Sequence, residues 1–112
     1  VNNEQRVFAF DGKVAELTSS TGANGYLAVR VEKVIARQGR KRFPKVYVYL
    51  DAAIRSGDGG EWEFSDRADP EYDDVLAELT ASKVDWYGQE FELVWLGPDE
   101  AERLRRSVFG YD

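Results

Sequence analysis

Between residues 26 and 36, Leu27, Val29, Val31 and Ile35 alternate with Ala28, Arg30, Glu32 and Val34. Period two over that length predicts a strand with one face in the core. Lys33 interrupts the apolar face toward its outer end. A second alternating run covers 45–51, with Val46, Val48 and Leu50 on one face and Tyr47 and Tyr49 on the other. The stretch between them, Arg37-Gln38-Gly39-Arg40-Lys41-Arg42-Phe43-Pro44, reads as a turn region, so the two runs are expected to pair as an antiparallel hairpin with a basic tip. Arg6-Val7-Phe8-Ala9-Phe10 and Lys13-Val14-Ala15-Glu16-Leu17 are also strand-like. Asp11-Gly12 between them suits either a tight hairpin or a bulge in one bent strand. Glu61-Trp62-Glu63-Phe64 fits a short edge strand. Residues 83–87 and 89–96 read as two strands around Gly88, with Phe91, Leu93 and Trp95 on one face of the second.

Two segments carry helical periodicity. One is expected at about 70–82, with Asp69 as N-cap and Pro70 at the first helical position. Glu71, Asp73 and Asp74 suit its N-terminal end, and Tyr72, Val75, Leu76 and Leu79 form its apolar stripe. The other is a C-terminal helix at about 98–109, with Ala101, Leu104 and Val108 facing inward and Arg103, Arg105 and Arg106 toward its C-terminal end. Beyond it, Phe109 and Tyr111 are expected to pin the helix to the core, the other reading being a small docking tail. The 112 residues contain no repeat or linker and read as a single α+β domain over 1–112. Two architectures fit: a small antiparallel sheet covered by helices, or a partly closed OB-like barrel of about five to six strands. The order of elements resembles a small OB barrel, which places its helix between its third and fourth strands. No family motif accompanies that resemblance.

Composition narrows the chemistry. The chain has no cysteine, histidine or methionine. Disulfides, thiol nucleophiles, zinc sites of the usual ligand set and histidine acid–base chemistry are thereby excluded. No Gly-x-Ser-x-Gly elbow occurs, and nothing singles out a pair among the carboxylates, so the chain is expected not to be an enzyme. Asp58-Gly59-Gly60-Glu61 lacks the ligand spacing of a calcium loop, and no Lys-Ser/Thr pair follows it as a phosphate loop requires. Neither a metal nor a cofactor is expected. The longest apolar run, Val46-Tyr47-Val48-Tyr49-Leu50, is far too short for a membrane span, and the start of the sequence is polar and acidic. A cytoplasmic protein is the expectation.

Charge is distributed unevenly. The net value of −6 hides a local +6 over residues 30–45, which hold seven basic side chains and one acidic one. Residues 58–78 hold nine acids and one arginine. Crowded cations at a hairpin tip repel one another, and a polyanion relieves the repulsion while releasing counterions. The leading expectation is therefore a binding domain for single-stranded DNA or RNA. Arg37, Arg40, Lys41, Arg42 and Lys45 would contact phosphates, Tyr47 and Tyr49 with Phe43 would stack on bases, and Arg30 would share the tyrosines' outward face with Tyr26. Two plainer readings compete: the cations pair with the chain's own acids, or the tyrosines lie under the 70–82 helix as core. The alternative function is an acidic protein-binding module (an inhibitor, a nucleic-acid mimic or an assembly adaptor) that meets a basic protein surface through Glu61, Glu63, Asp73, Asp74 and Glu78. An exposed edge strand at 61–64 leaves monomer and homodimer both open.

Overall fold

In the computed structural model, which describes residues 2–69 and 72–111, the chain begins with a short helix, α1 (Asn3–Phe8). This replaces the strand expected at residues 6–10. The Asn2 side chain accepts from the Gln5 amide at 2.8 Å, and the Gln5 side chain accepts from the Asn2 amide at 3.1 Å. This reciprocal cap satisfies two of the amides a helix start leaves open. The apolar run that follows is used differently from a strand face: Val7 is fully buried, and Phe8 and Phe10 pack at the margin of the core. Asp11-Gly12 consequently joins a helix to a strand and forms no hairpin. Gly12 adopts φ +81°, and the Asp11 carboxylate accepts from the Val31 amide at 2.9 Å.

Six strands follow: β1 (Val14–Thr18), β2 (Asn24–Gln38), β3 (Lys41–Arg55), β4 (Glu63–Asp69), β5 (Lys83–Trp86) and β6 (Gln89–Trp95). Helix α2 (Tyr72–Ala81) lies between β4 and β5 in the chain, and α3 (Pro98–Ser107) follows β6. All strand pairs are antiparallel, in the order β4-β3-β2-β1-β6-β5. The expected edge strand near residue 61 begins two residues later and runs to Asp69, so Asp69 ends a strand. Pro70 and Glu71, expected in the first helical turn, lie outside the described residues.

The sheet's two faces are covered by different helices. On the inner face, Leu27, Val29, Val31, Val48, Leu50, Phe91 and Leu93 form one buried cluster with Val7 of α1 and Val75, Leu76 and Leu79 of α2. Full burial of such side chains contributes about 1.5–3 kcal/mol each. On the outer face, Ala101 and Leu104 of α3 pack with Val14 and Ala28. Beyond α3, Phe109 packs edge-on against Phe64 with ring centroids 6.5 Å apart, and the Tyr111 hydroxyl donates to Asp51. The chain end is thus pinned across the sheet.

The sheet curls far enough for its two edges, β4 and β5, to meet through side chains. The Trp86 indole donates to Ser65 Oγ at 2.8 Å, and Arg67 lies 3.0 Å from Glu78. Glu78 in turn accepts from the Asp85 amide at 3.1 Å. The result is an α+β half-barrel of six strands, in keeping with the OB-like expectation. The β5–β6 hairpin that forms one edge turns on Tyr87 (φ +52°) and Gly88 (φ +81°). Both central residues being left-handed is what a two-residue type I′ connection requires. Among the described residues, no helix is long and apolar enough to cross a membrane.

Candidate nucleic-acid interface

β2 and β3 are fifteen residues each, and they pair along their full length from Asn24↔Arg55 to Gln38↔Lys41. The turn expected over 37–44 is confined to Gly39 and Arg40. Gly39 takes φ +62°, which supplies the reversal at the first central position. The residues around it are compatible with extended backbone, and Pro44 is tolerated because, among the described residues, β3 has no second neighbour there. β1 pairs with β2 only as far as Ala28, and β4 pairs with β3 only as far as Val48. Beyond these points the Val29 and Val31 amides are taken by the Lys13 carbonyl and the Asp11 carboxylate. Among the described residues, the seven-residue ends of β2 (32–38) and β3 (41–47) pair with each other alone. At about 3.4 Å per residue they form a free ribbon roughly 20 Å long. The molecule measures 52 Å along its long axis against 30 and 29 Å across.

Strand alternation divides the basic residues between the ribbon's faces. Lys41, Phe43, Lys45, Tyr47 and Tyr49 occupy successive alternate positions of β3 on the outer face. Arg30 stands directly across from Tyr49, with its guanidinium carbon 4.2 Å from the ring centre. Tyr47 and Tyr49 are stacked, with centroids 6.1 Å apart and planes 29° from parallel. Both are half-buried. Helix α2 packs on the opposite face among Val46 and Val48, so it does not cover them. Phe43 is 38% exposed. These six residues, together with Arg30's partner Glu32, form one strip along the ribbon.

Arg37 and Arg42 lie on the other face, directly opposite one another, and Arg40 sits in the turn. Like charges facing each other across two strands oppose pairing. Among the described residues, no acidic group lies within ion-pair distance of Arg37, Arg40, Lys41, Arg42 or Lys45. Nearer the ribbon's root, Lys33 is engaged, at 2.9 Å from Glu4, as Arg30 is by Glu32.

The acidic residues of the alternative reading are dispersed. Glu61, two residues before β4, and Glu63, its first residue, are exposed, whereas Asp73 and Asp74 lie in the first turn of α2, which follows the strand's far end. Asp73 accepts from the Asn3 side chain at 3.2 Å. Glu78 is half-buried in the β4–β5 seam, tied to Arg67 and the Asp85 amide. Among the described residues, no group of three or more acidic side chains is placed to hold a metal ion.

Two arrangements escaped the sequence reading. One is the seam, where Asp66, Arg67, Glu78, Asp85, Trp86 and Tyr87 line a cleft. The other is the Asp51–Asp66 pair beneath Tyr111 on the outer face. Burial raises the Asp51 carboxyl above its ordinary value, and the Asp66 charge raises it further; Arg30 acts in the opposite sense.

Compared with protein-family models, curated proteins and solved structures, the chain matches none.

Proposed function

We propose that the β2–β3 ribbon binds single-stranded DNA or RNA along its outer face. The observation that carries this reading is the strip Lys41, Phe43, Lys45, Tyr47 and Tyr49, with cations and rings at alternate positions of one strand and, among the described residues, no anion within ion-pair distance of the lysines. Cations spaced along an extended strand track a phosphate backbone, and aromatic faces accept bases without regard to sequence. Arg30 over Tyr49 supplies a guanidinium plane at the inner end of the same strip. Placement of α2 on the opposite face leaves the tyrosines uncovered by that helix, and dispersal of the five acids removes support from the acidic-module alternative.

Fluorescence anisotropy of labelled oligonucleotides, single-stranded and duplex, tests the reading at low and near-physiological salt. Single strands should bind, and binding should weaken as salt rises. Lys41→Ala with Lys45→Ala should lower both affinity and salt slope, because each lost phosphate contact removes about 0.7 from the slope on a single strand. No single-strand binding at low salt, or an unchanged slope in the double variant, overturns it.

A further inference from the structure

The ribbon's inner face has its own pattern, and it differs from that of a solvated hairpin. From root to tip the cross-strand pairs on this face are Val31↔Val48, Lys33↔Val46, Ile35↔Pro44 and Arg37↔Arg42. The first pair is buried core. Ile35 is 64% exposed and Pro44 faces it, also exposed. Arg37 and Arg42 flank this apolar step on the tip side, and Lys33 flanks it on the root side. An exposed isoleucine opposite a proline, bracketed by cations on a free arm, gains nothing from the fold. The facing arginines moreover cost pairing energy, and among the described residues no acid lies within ion-pair distance to offset it.

We propose that the ribbon recognises the junction between single-stranded and double-stranded nucleic acid. This rests on the single-strand reading of the outer face and extends it to the inner one. The single strand runs along Lys41, Phe43, Lys45, Tyr47 and Tyr49. Ile35 and Pro44 press on the exposed terminal base pair, and Arg37 and Arg42 hold the phosphates of the other strand. Apolar wedges of isoleucine or proline at a base step, with flanking arginines on the backbone, are an established way for protein to meet unstacked DNA. A duplex end presents a bare base face without the cost of opening a stack, so it suits a short wedge. The two faces of a two-stranded ribbon lie back to back, which places the two nucleic-acid strands on opposite sides of it.

Three labelled probes test this by anisotropy at one salt concentration: a single strand, a blunt duplex, and a fork whose unpaired arm has the sequence of the single strand. The fork is expected to bind about tenfold more tightly than the single strand, and more tightly than the blunt duplex. Ile35→Ser should abolish the fork's advantage and leave single-strand affinity within about twofold, because the side chain is exposed and on the other face. Arg37→Ala with Arg42→Ala should reduce the fork's advantage while leaving the stacking strip intact. A thermal melt of each variant checks that the domain is folded. Single-strand binding without fork preference, or a fork preference that survives Ile35→Ser, overturns the junction proposal alone. Absence of single-strand binding overturns the reading on which it rests.

Discussion

Asp51 and Asp66 stand directly opposite one another on neighbouring strands, and the Tyr111 hydroxyl donates to the first of them. Like charges in that position oppose pairing by a few tenths to about 1 kcal/mol. Burial and the neighbouring carboxylate both raise the Asp51 pKa, so the folded state holds that proton more tightly than the unfolded chain does. The linkage follows: between the unfolded and the raised folded value, stability at this site falls as pH rises, and at neutral pH the full cost of the charged pair is present. Asp66→Asn should therefore raise the melting temperature at pH 7 by a few degrees at most. The gain should shrink as pH falls through the raised Asp51 value. Calorimetric melts of the two proteins from pH 7 to pH 3 check this; a gain that grows on acidification contradicts the assignment.

Gly25 of β2 lies against the backbone of β3. A Cβ there would fall 1.9 Å from the Ala53 carbonyl oxygen, a backbone atom that cannot rotate away. Gly25→Ala should cost about 3 kcal/mol or more, since both central strands must shift. Gly39 is the control. Its φ of +62° strains any other residue, yet nothing lies within 4 Å of an added Cβ. Gly39→Ala should cost only about 1–2 kcal/mol. Urea unfolding of both variants measures the difference, and equal losses would show that steric approach is not what selects Gly25.

The half-barrel is held at its open side by few bonds, of which the Trp86–Ser65 hydrogen bond is the best formed. Trp86→Phe and Ser65→Ala each remove one partner, and the double variant removes both. If the bond closes the seam, the double-mutant cycle should give a coupling of about 1 kcal/mol. A coupling indistinguishable from zero would mean that the sheet's curl comes from its own twist and from α2 packing alone.

What could be read from sequence follows the range of the interactions concerned. The faces of β2 and β3 were legible because burial imposes period two locally: Val46, Val48 and Leu50 are buried as expected, and Tyr47 and Tyr49 share the other face. The helices at 72–81 and 98–107 were legible for the same reason at period 3.6. Residues 6–10 misled because a four-residue apolar run carries no period, and the deciding signal was the Asn2–Gln5 cap upstream of it. The strand ends around Gly39 misled because basic composition suggested a loop, whereas charge on a free ribbon meets no burial penalty. It also guards the ribbon's edges against pairing with another sheet. Asp51 with Tyr111, sixty positions apart, was beyond sequence reading because it depends on register and on the path of α3. The split of the arginines from the lysines followed once the turn was fixed at two residues, since moving it by one exchanges the faces.

That split allows charge and stacking on the outer face to be separated in one experiment. Lys41 and Lys45 are exposed or half-buried side chains on β3, and Tyr47 and Tyr49 follow them on the same face. Phosphate contacts appear in the dependence of log K on log salt, with about 0.7 per contact on a single strand. Stacking contributes about 1–3 kcal/mol per base and releases no counterions. Lys41→Ala with Lys45→Ala should therefore lower the salt slope by about 1.4. Tyr47→Ala should weaken binding about fivefold or more at every salt concentration and leave the slope unchanged. Tyr47→Phe keeps the ring and should bind like the parent. Were the tyrosine substitution to change the slope, or Tyr47→Phe to weaken binding as much as Tyr47→Ala, the ring would not be acting as a stacking surface.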